Sequence, residues 1–119
     1  MKDPVEIWFK LARRDLQGAK KNYEIGEPHI AAFLAQQSAE KALKALLISQ
    51  TGNFPKIHDL TRLARMVNAP EDIVELCAKI TPAYTATRYP DVMVEFNKGE
   101  VEELIEDAEM VIKWVEQSI

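Results

Sequence analysis

Recognition of phosphate needs cations held at fixed spacing, and this chain gathers them in two places. One is Gln36-Gln37-Ser38-Ala39-Glu40-Lys41-Ala42-Leu43-Lys44, in which Gln37, Glu40, Lys41 and Lys44 share one strip of a helix at three- and four-residue spacing. The other is Thr87-Arg88-Tyr89-Pro90-Asp91, with Tyr84 just before it. Arginine offers a planar fork for phosphate or carboxylate, lysine a point charge, and tyrosine a face on which a base stacks. Plainer readings stand beside these. Glu40 to Lys44 is the favourable i,i+4 order of a solvated helix face, and Asp91 can pair with Arg88 while the tyrosines pack the loop down. The strip interrupts an otherwise apolar helix, with Ile30, Phe33 and Ile48 bounding it, which favours a cleft or an interface. Asp15, at the edge of an apolar stripe, needs a partner or a wet edge. Lys41 or Lys44 is that expected partner, in a polar cleft or in an ion pair that only fixes packing. The expected ligand-binding set is Asp15, Gln37, Lys41, Lys44, Arg88 and Tyr89, with Lys41 and Arg88 on one ligand.

Groups for catalysis are fewer. His58 stands before Asp59 at a helix start, where capping or tethering is the plain role; Arg88 and His58 are the candidates for a catalytic one. His29 also begins a helix and has no assigned role. Two histidines without clustered acids make no metal pattern, and no Gly-rich phosphate loop is present, so neither metal nor cofactor is expected. Cys77, the single cysteine, reads as core and excludes an internal disulfide framework. The acidic run Glu100, Glu102, Glu103, Glu106, Asp107 and Glu109 lies mainly opposite an apolar stripe and reads as a solvated face. So does the basic face Lys10, Arg13, Arg14, Gln17, Lys20 and Lys21.

The elements that must position these groups are helical. Asp3, Pro4 and Glu6 open the first helix as a cap, first-turn proline and capping box, and Gly26 stops it. A second helix, about 28–50 and ended by Gly52, is apolar around most of its circumference, with Ala32, Ala35, Ala39 and Ala42 as a close-packing seam. His58 or Asp59 caps a short helix to about Val67. A fourth starts near Pro70 and is kinked or interrupted at Pro82. Residues 87–96 read as an ordered loop, with Pro90 holding Tyr89 extended. Asn97 and Glu100 open a last helix to about Gln117. The expected fold is all-α: an antiparallel up-and-down bundle of four to five helices forming one domain, 1–119. With 47% hydrophobic and 29% charged residues and a net charge of −4, disorder and a strongly basic nucleic-acid wrap are excluded. Residues 1–60 carry 9 Lys/Arg against 7 Asp/Glu, whereas 61–119 carry 6 against 12. This asymmetry favours self-association or a polar partner. Met110 and Trp114, four apart and off the last helix's core stripe, are the expected dimer contacts. With no apolar run long enough for a signal or a span, no membrane partner is expected and a cytoplasmic location is.

The sequence resembles the HEPN family of small helical domains from bacteria and archaea. The resemblance rests on Ala12 to Asp15, on Phe33 with the string Gln36 to Leu47, on His58 with Leu60 and Leu63, and on Tyr84 with Thr87 to Asp91; it spans nearly the whole chain. It implies a four- or five-helix bundle that often dimerises and binds nucleotides or RNA, commonly beside a minimal nucleotidyltransferase in a toxin–antitoxin or regulatory pair. Ribonuclease members carry an arginine followed by histidine after four to six intervening residues. Here positions 93–95 hold Met93, Val94 and Glu95, so the expectation leans away from an enzyme. The alternatives are a metal-independent ribonuclease using Arg88 and His58, and an interaction subunit without a ligand.

Overall fold

The computed structural model describes residues 3–89 and 95–119. Every regular element in them is a helix: α1 Pro4–Glu24, α2 Pro28–Thr51, α3 Leu60–Met66, α4 Glu71–Ile80, α5 Pro82–Arg88 and α6 Lys98–Ser118. Only Thr81 separates α4 from α5, so the bundle has five helices when this pair, interrupted just before Pro82, is counted once.

Local chemistry sets the ends. Asp3 accepts from the Val5 N–H at 2.9 Å, with Pro4 in the first turn, so the cap is Asp3's own bond. Gly52 closes α2 at φ 80°, its N–H donating to Ile48 O at 2.8 Å, a left-handed conformation that glycine adopts without Cβ strain. Asp59, rather than His58, caps α3 through Thr61 N at 2.9 Å. At α6, Asn97 accepts from Glu100 N at 2.8 Å, and Glu100 accepts in return from the Asn97 side-chain amide at 2.6 Å.

The expected loop at 87–96 is corrected at its start. Proline is tolerated in a first turn, and helix resumes at Pro82 and continues through Thr87 and Arg88, with Thr87 Oγ1 donating to Ala83 O at 2.6 Å. Tyr89 is extended (φ −114°, ψ 113°), the conformation that a following proline favours. Residues 90–94, and with them Asp91, lie outside the described residues.

α2 is the central helix and packs against every other one. Its small residues Ala31, Ala32, Ala35, Ala39, Ala42 and Ala45 are fully buried, so the alanine seam is used inside the bundle, where it lets neighbours approach closely. A Cβ on Gly18 of α1 would come within 3.0 Å of Leu34, which marks the tight approach of α1 to α2. Leu43, Leu46, Leu60, Leu63, Ile80, Val101, Val111 and Val115 fill the core, each worth about 1.5–3 kcal/mol when fully buried. Cys77 lies among them, and burial pushes its thiol up to about 12.

The charge asymmetry is partly met within the chain: Arg13 pairs with Glu116 and Lys20 with Glu109, both at 2.5 Å, joining basic α1 to acidic α6. At their exposure each is worth about 0.2–1 kcal/mol. The solvated-face reading of α6 needs one correction. Asp107 is buried at 7% exposure, because Lys79 of α4 crosses over it and α4 packs on α6.

Candidate functional site

Glu40 organises the polar strip. It is 4% exposed and accepts from Lys44 Nζ at 3.0 Å, from Gln36 Nε2 at 3.0 Å, and from His58 Nδ1 at 3.2 and 3.1 Å to its two oxygens. A carboxylate only accepts, so Nδ1 is assigned the proton and Nε2 is left as the outer nitrogen of a half-exposed ring. Gln37 donates to Gln36 Oε1 at 2.6 Å, extending the chain of bonds along α2. Gln36 also reaches His58 O at 3.5 Å, which tethers the turn before α3 to the central helix. Among the described residues every buried side-chain polar atom has a partner, as a polar network inside an apolar bundle requires.

Aromatic and cationic groups stack beside this network. The His58 ring lies on Tyr84 with centroids 4.5 Å apart and planes at 11°. The Arg88 guanidinium sits 4.6 Å from the same tyrosine centroid and 5.5 Å from that of Phe33. Arg88 reaches this place because α5 sets it one turn beyond Tyr84. His58 reaches it because Leu60 N donates to Thr81 Oγ1 at 3.0 Å, which ties the start of α3 to the start of α5.

Lys41 and Asp15 meet at 2.5 Å on the α1 side, with side chains 26% and 15% exposed. Lys44 has gone inward instead: it is 4% exposed, paired with Glu40, and 5.4 Å from the Phe54 ring. Tyr89 is exposed just past the end of α5. The expected residues thus form two neighbourhoods, Asp15–Lys41 and His58–Tyr84–Arg88, with Gln37 and the Glu40 network between them. Arg88 stands over Phe33, eight residues before Lys41 on α2. That interval is about 12 Å along the helix axis. Met110 is exposed, whereas Trp114 is half-buried against the core.

Reading the sequence for a site missed the hub role of Glu40, the buried Gln36, and the use of Tyr84 and Phe33 as rings for Arg88. The i,i+4 spacing of Gln36, Glu40 and Lys44 was the available signal; the approach of His58 was not readable, because it depends on how α3 meets α5.

Residues 5–118 match the family model described as HEPN domain. Among solved structures, one from Thermus thermophilus is similar over 99% of this chain and 100% of its own, at TM-score 0.90 and 30% identity. An archaeal HEPN homologue aligns over 98% of each chain at TM-score 0.81 and 35% identity. An HEPN domain protein of Thermotoga maritima covers 92% of this chain and 94% of its own, at TM-score 0.75 and 25% identity. No curated protein matches the chain. A family match over nearly every residue, on a helical bundle of the same shape, makes this chain a member of the HEPN domain family.

Proposed function

We propose that this HEPN domain binds a nucleotide-containing ligand, a short single-stranded RNA segment or RNA end, on the face formed by α2, α3 and α5. The observation that carries the reading is the His58–Tyr84–Arg88 stack anchored on buried Glu40. It offers a guanidinium for phosphate, a half-exposed imidazole, and exposed Tyr89 next to Arg88 for a base. Lys41 is the second phosphate contact, released from Asp15 when ligand arrives. Arg88 lies over Phe33, about two turns of α2 before Lys41, which suits a ligand longer than one nucleotide. Gln37 lies between them as a hydrogen-bonding group, and Lys44 acts through Glu40 rather than on the ligand. The family resemblance adds a minimal nucleotidyltransferase as protein partner in a toxin–antitoxin or regulatory pair, and self-association in which Met110 takes part with the exposed edge of Trp114. Light scattering tests the self-association: a dimer at tens of micromolar is expected, and a monomer rejects it.

One observation favours a second reading, a metal-independent ribonuclease. Glu40 holds His58 Nδ1, the arrangement that orients an imidazole for proton transfer at Nε2. A single experiment separates the readings. A labelled oligoribonucleotide is titrated with wild type, Arg88→Ala and His58→Ala, and its integrity is then checked. Saturable binding to intact RNA that both variants weaken supports the binding module. RNA cut by wild type and spared by both variants supports the ribonuclease. No RNA binding by folded protein, with tight binding to the nucleotidyltransferase, makes the chain an interaction subunit and rejects both.

A further inference from the structure

α5 packs on α2 and α4 but not on α6, so a cleft of about 590 Å³ opens between α5 and α6. Helix α4 lies on α6, whereas α5, which restarts at Pro82, lies on α2. The volume is within the ordinary range for small-molecule sites. Pro82, Ala83 and Ala86 on one side and Leu104 and Phe96 on the other give it apolar walls, Thr85 and Glu100 add polar groups, and Lys79, Glu103 and Asp107 form one linked charged group.

That charged group is short of donors. Asp107 is 7% exposed, and its ionic partner among the described residues is Lys79 Nζ at 3.7 Å, beyond hydrogen-bond reach. The same ammonium is 3.2 Å from Glu103, so one cation is divided between two carboxylates and stands closer to the more exposed one. No oxygen of Asp107 is both sealed from solvent and without a partner, and the residue lines the cleft. Burial raises its pKa and the Glu103 charge adds to this, with Lys79 acting in the opposite direction. A metal ion does not suit the place: among the described residues no three His, Cys, Asp or Glu side chains gather to hold one.

We propose that this cleft is a second binding site, separate from the α2–α3–α5 face, for a small organic amine. The ammonium donates to Asp107 and Glu103, displacing Lys79 toward solvent, and a short apolar body lies between Ala83, Ala86 and Leu104. The bound amine bridges two helices whose backbones do not approach each other.

The test is amide chemical-shift titration of the whole chain with 2-phenylethylamine, run beside its neutral analogue 2-phenylethanol and a blocked lysine tripeptide. The amine is expected to saturate below about 10 mM with shifts centred on Ala83, Ala86, Leu104 and Asp107, and to bind about tenfold tighter than the alcohol. Asp107→Asn should weaken the amine by about tenfold and leave the alcohol unchanged. Lys79→Ala, which removes a half-exposed competitor without opening the core, should tighten amine binding severalfold. Equal binding of amine and alcohol, an unchanged affinity in Asp107→Asn, or looser binding in Lys79→Ala overturns the proposal. Binding of the tripeptide without the free amine also overturns it, since that marks a peptide-docking surface.

Discussion

Replacing Glu40 by alanine tests whether the polar centre of the bundle is one interacting unit. Glu40 and Lys44 are each 4% exposed, and Glu40 also accepts from Gln36 and His58. Glu40→Ala leaves the Lys44 ammonium buried and unpaired, and breaking a buried pair from one side costs about 3–5 kcal/mol. The lost bonds from Gln36 and His58 belong to the same network and are not added separately. Against a total stability of about 0.05–0.15 kcal/mol per residue, roughly 6–18 kcal/mol for this chain, the loss is a large fraction. The double variant Glu40→Ala with Lys44→Met removes both charges and refills part of the space, so it should recover to within about 1–2 kcal/mol of wild type. Urea unfolding followed by circular dichroism at 222 nm reads both, with the denaturant slope as a check on two-state behaviour. A loss below about 1 kcal/mol for Glu40→Ala, or a double variant as unstable as the single one, would refute the reasoning that a buried cation is stranded.

Further expectations concern single residues. With its thiol pushed up to about 12, Cys77 should resist alkylation at pH 8 in native protein and react fully in urea; fast native labelling counts against its burial. The Asp107 carboxyl is raised, so the folded state favours its protonated form, and the energetic penalty grows as pH climbs through the raised value. Asp107→Asn should therefore stabilise the fold modestly at pH 7, with the gain fading as pH falls through the raised value and gone below the ordinary carboxylate value; a gain that increases in acid contradicts this sign. Gly52→Ala should cost about 1 kcal/mol in a thermal melt, because φ 80° strains any residue with a Cβ; an unchanged melt refutes that.

What the sequence revealed follows from the range of the interactions involved. Asp3, Gly52, Asp59, Asn97 and Pro82 act within a turn of their own positions, so the helix ends and the interruption were readable. A lysine partner for Asp15 is also legible, since a carboxylate on an apolar edge has few possible partners; of the two expected, Lys41 and Lys44, the fold selects Lys41. Arg88 was assigned to a loop because the following Tyr-Pro dominates its surroundings, whereas the helix restarted at Pro82 reaches it. Lys44 was expected at a ligand; its burial depends on Phe54 and Glu40 closing over it. Asp107 looked solvated on its own helix and is covered by a residue of another. Lys44 and Asp107 depend on contacts between separate segments, which helical periodicity does not describe, whereas Arg88 depends on how far the helix from Pro82 runs.

The most direct test of the proposed function is a map of where RNA touches the protein: amide and side-chain shifts of labelled protein during titration with a short single-stranded oligoribonucleotide at low salt. Saturable perturbation should run from Phe33 through Gln37 to Lys41 and include His58, Tyr84, Arg88 and Tyr89. It should weaken as salt rises, with a log–log slope of about −0.7 per phosphate contacted. Absence of saturable shifts, or shifts confined to the basic face of α1 at Lys10, Arg14 and Lys21, would contradict the account.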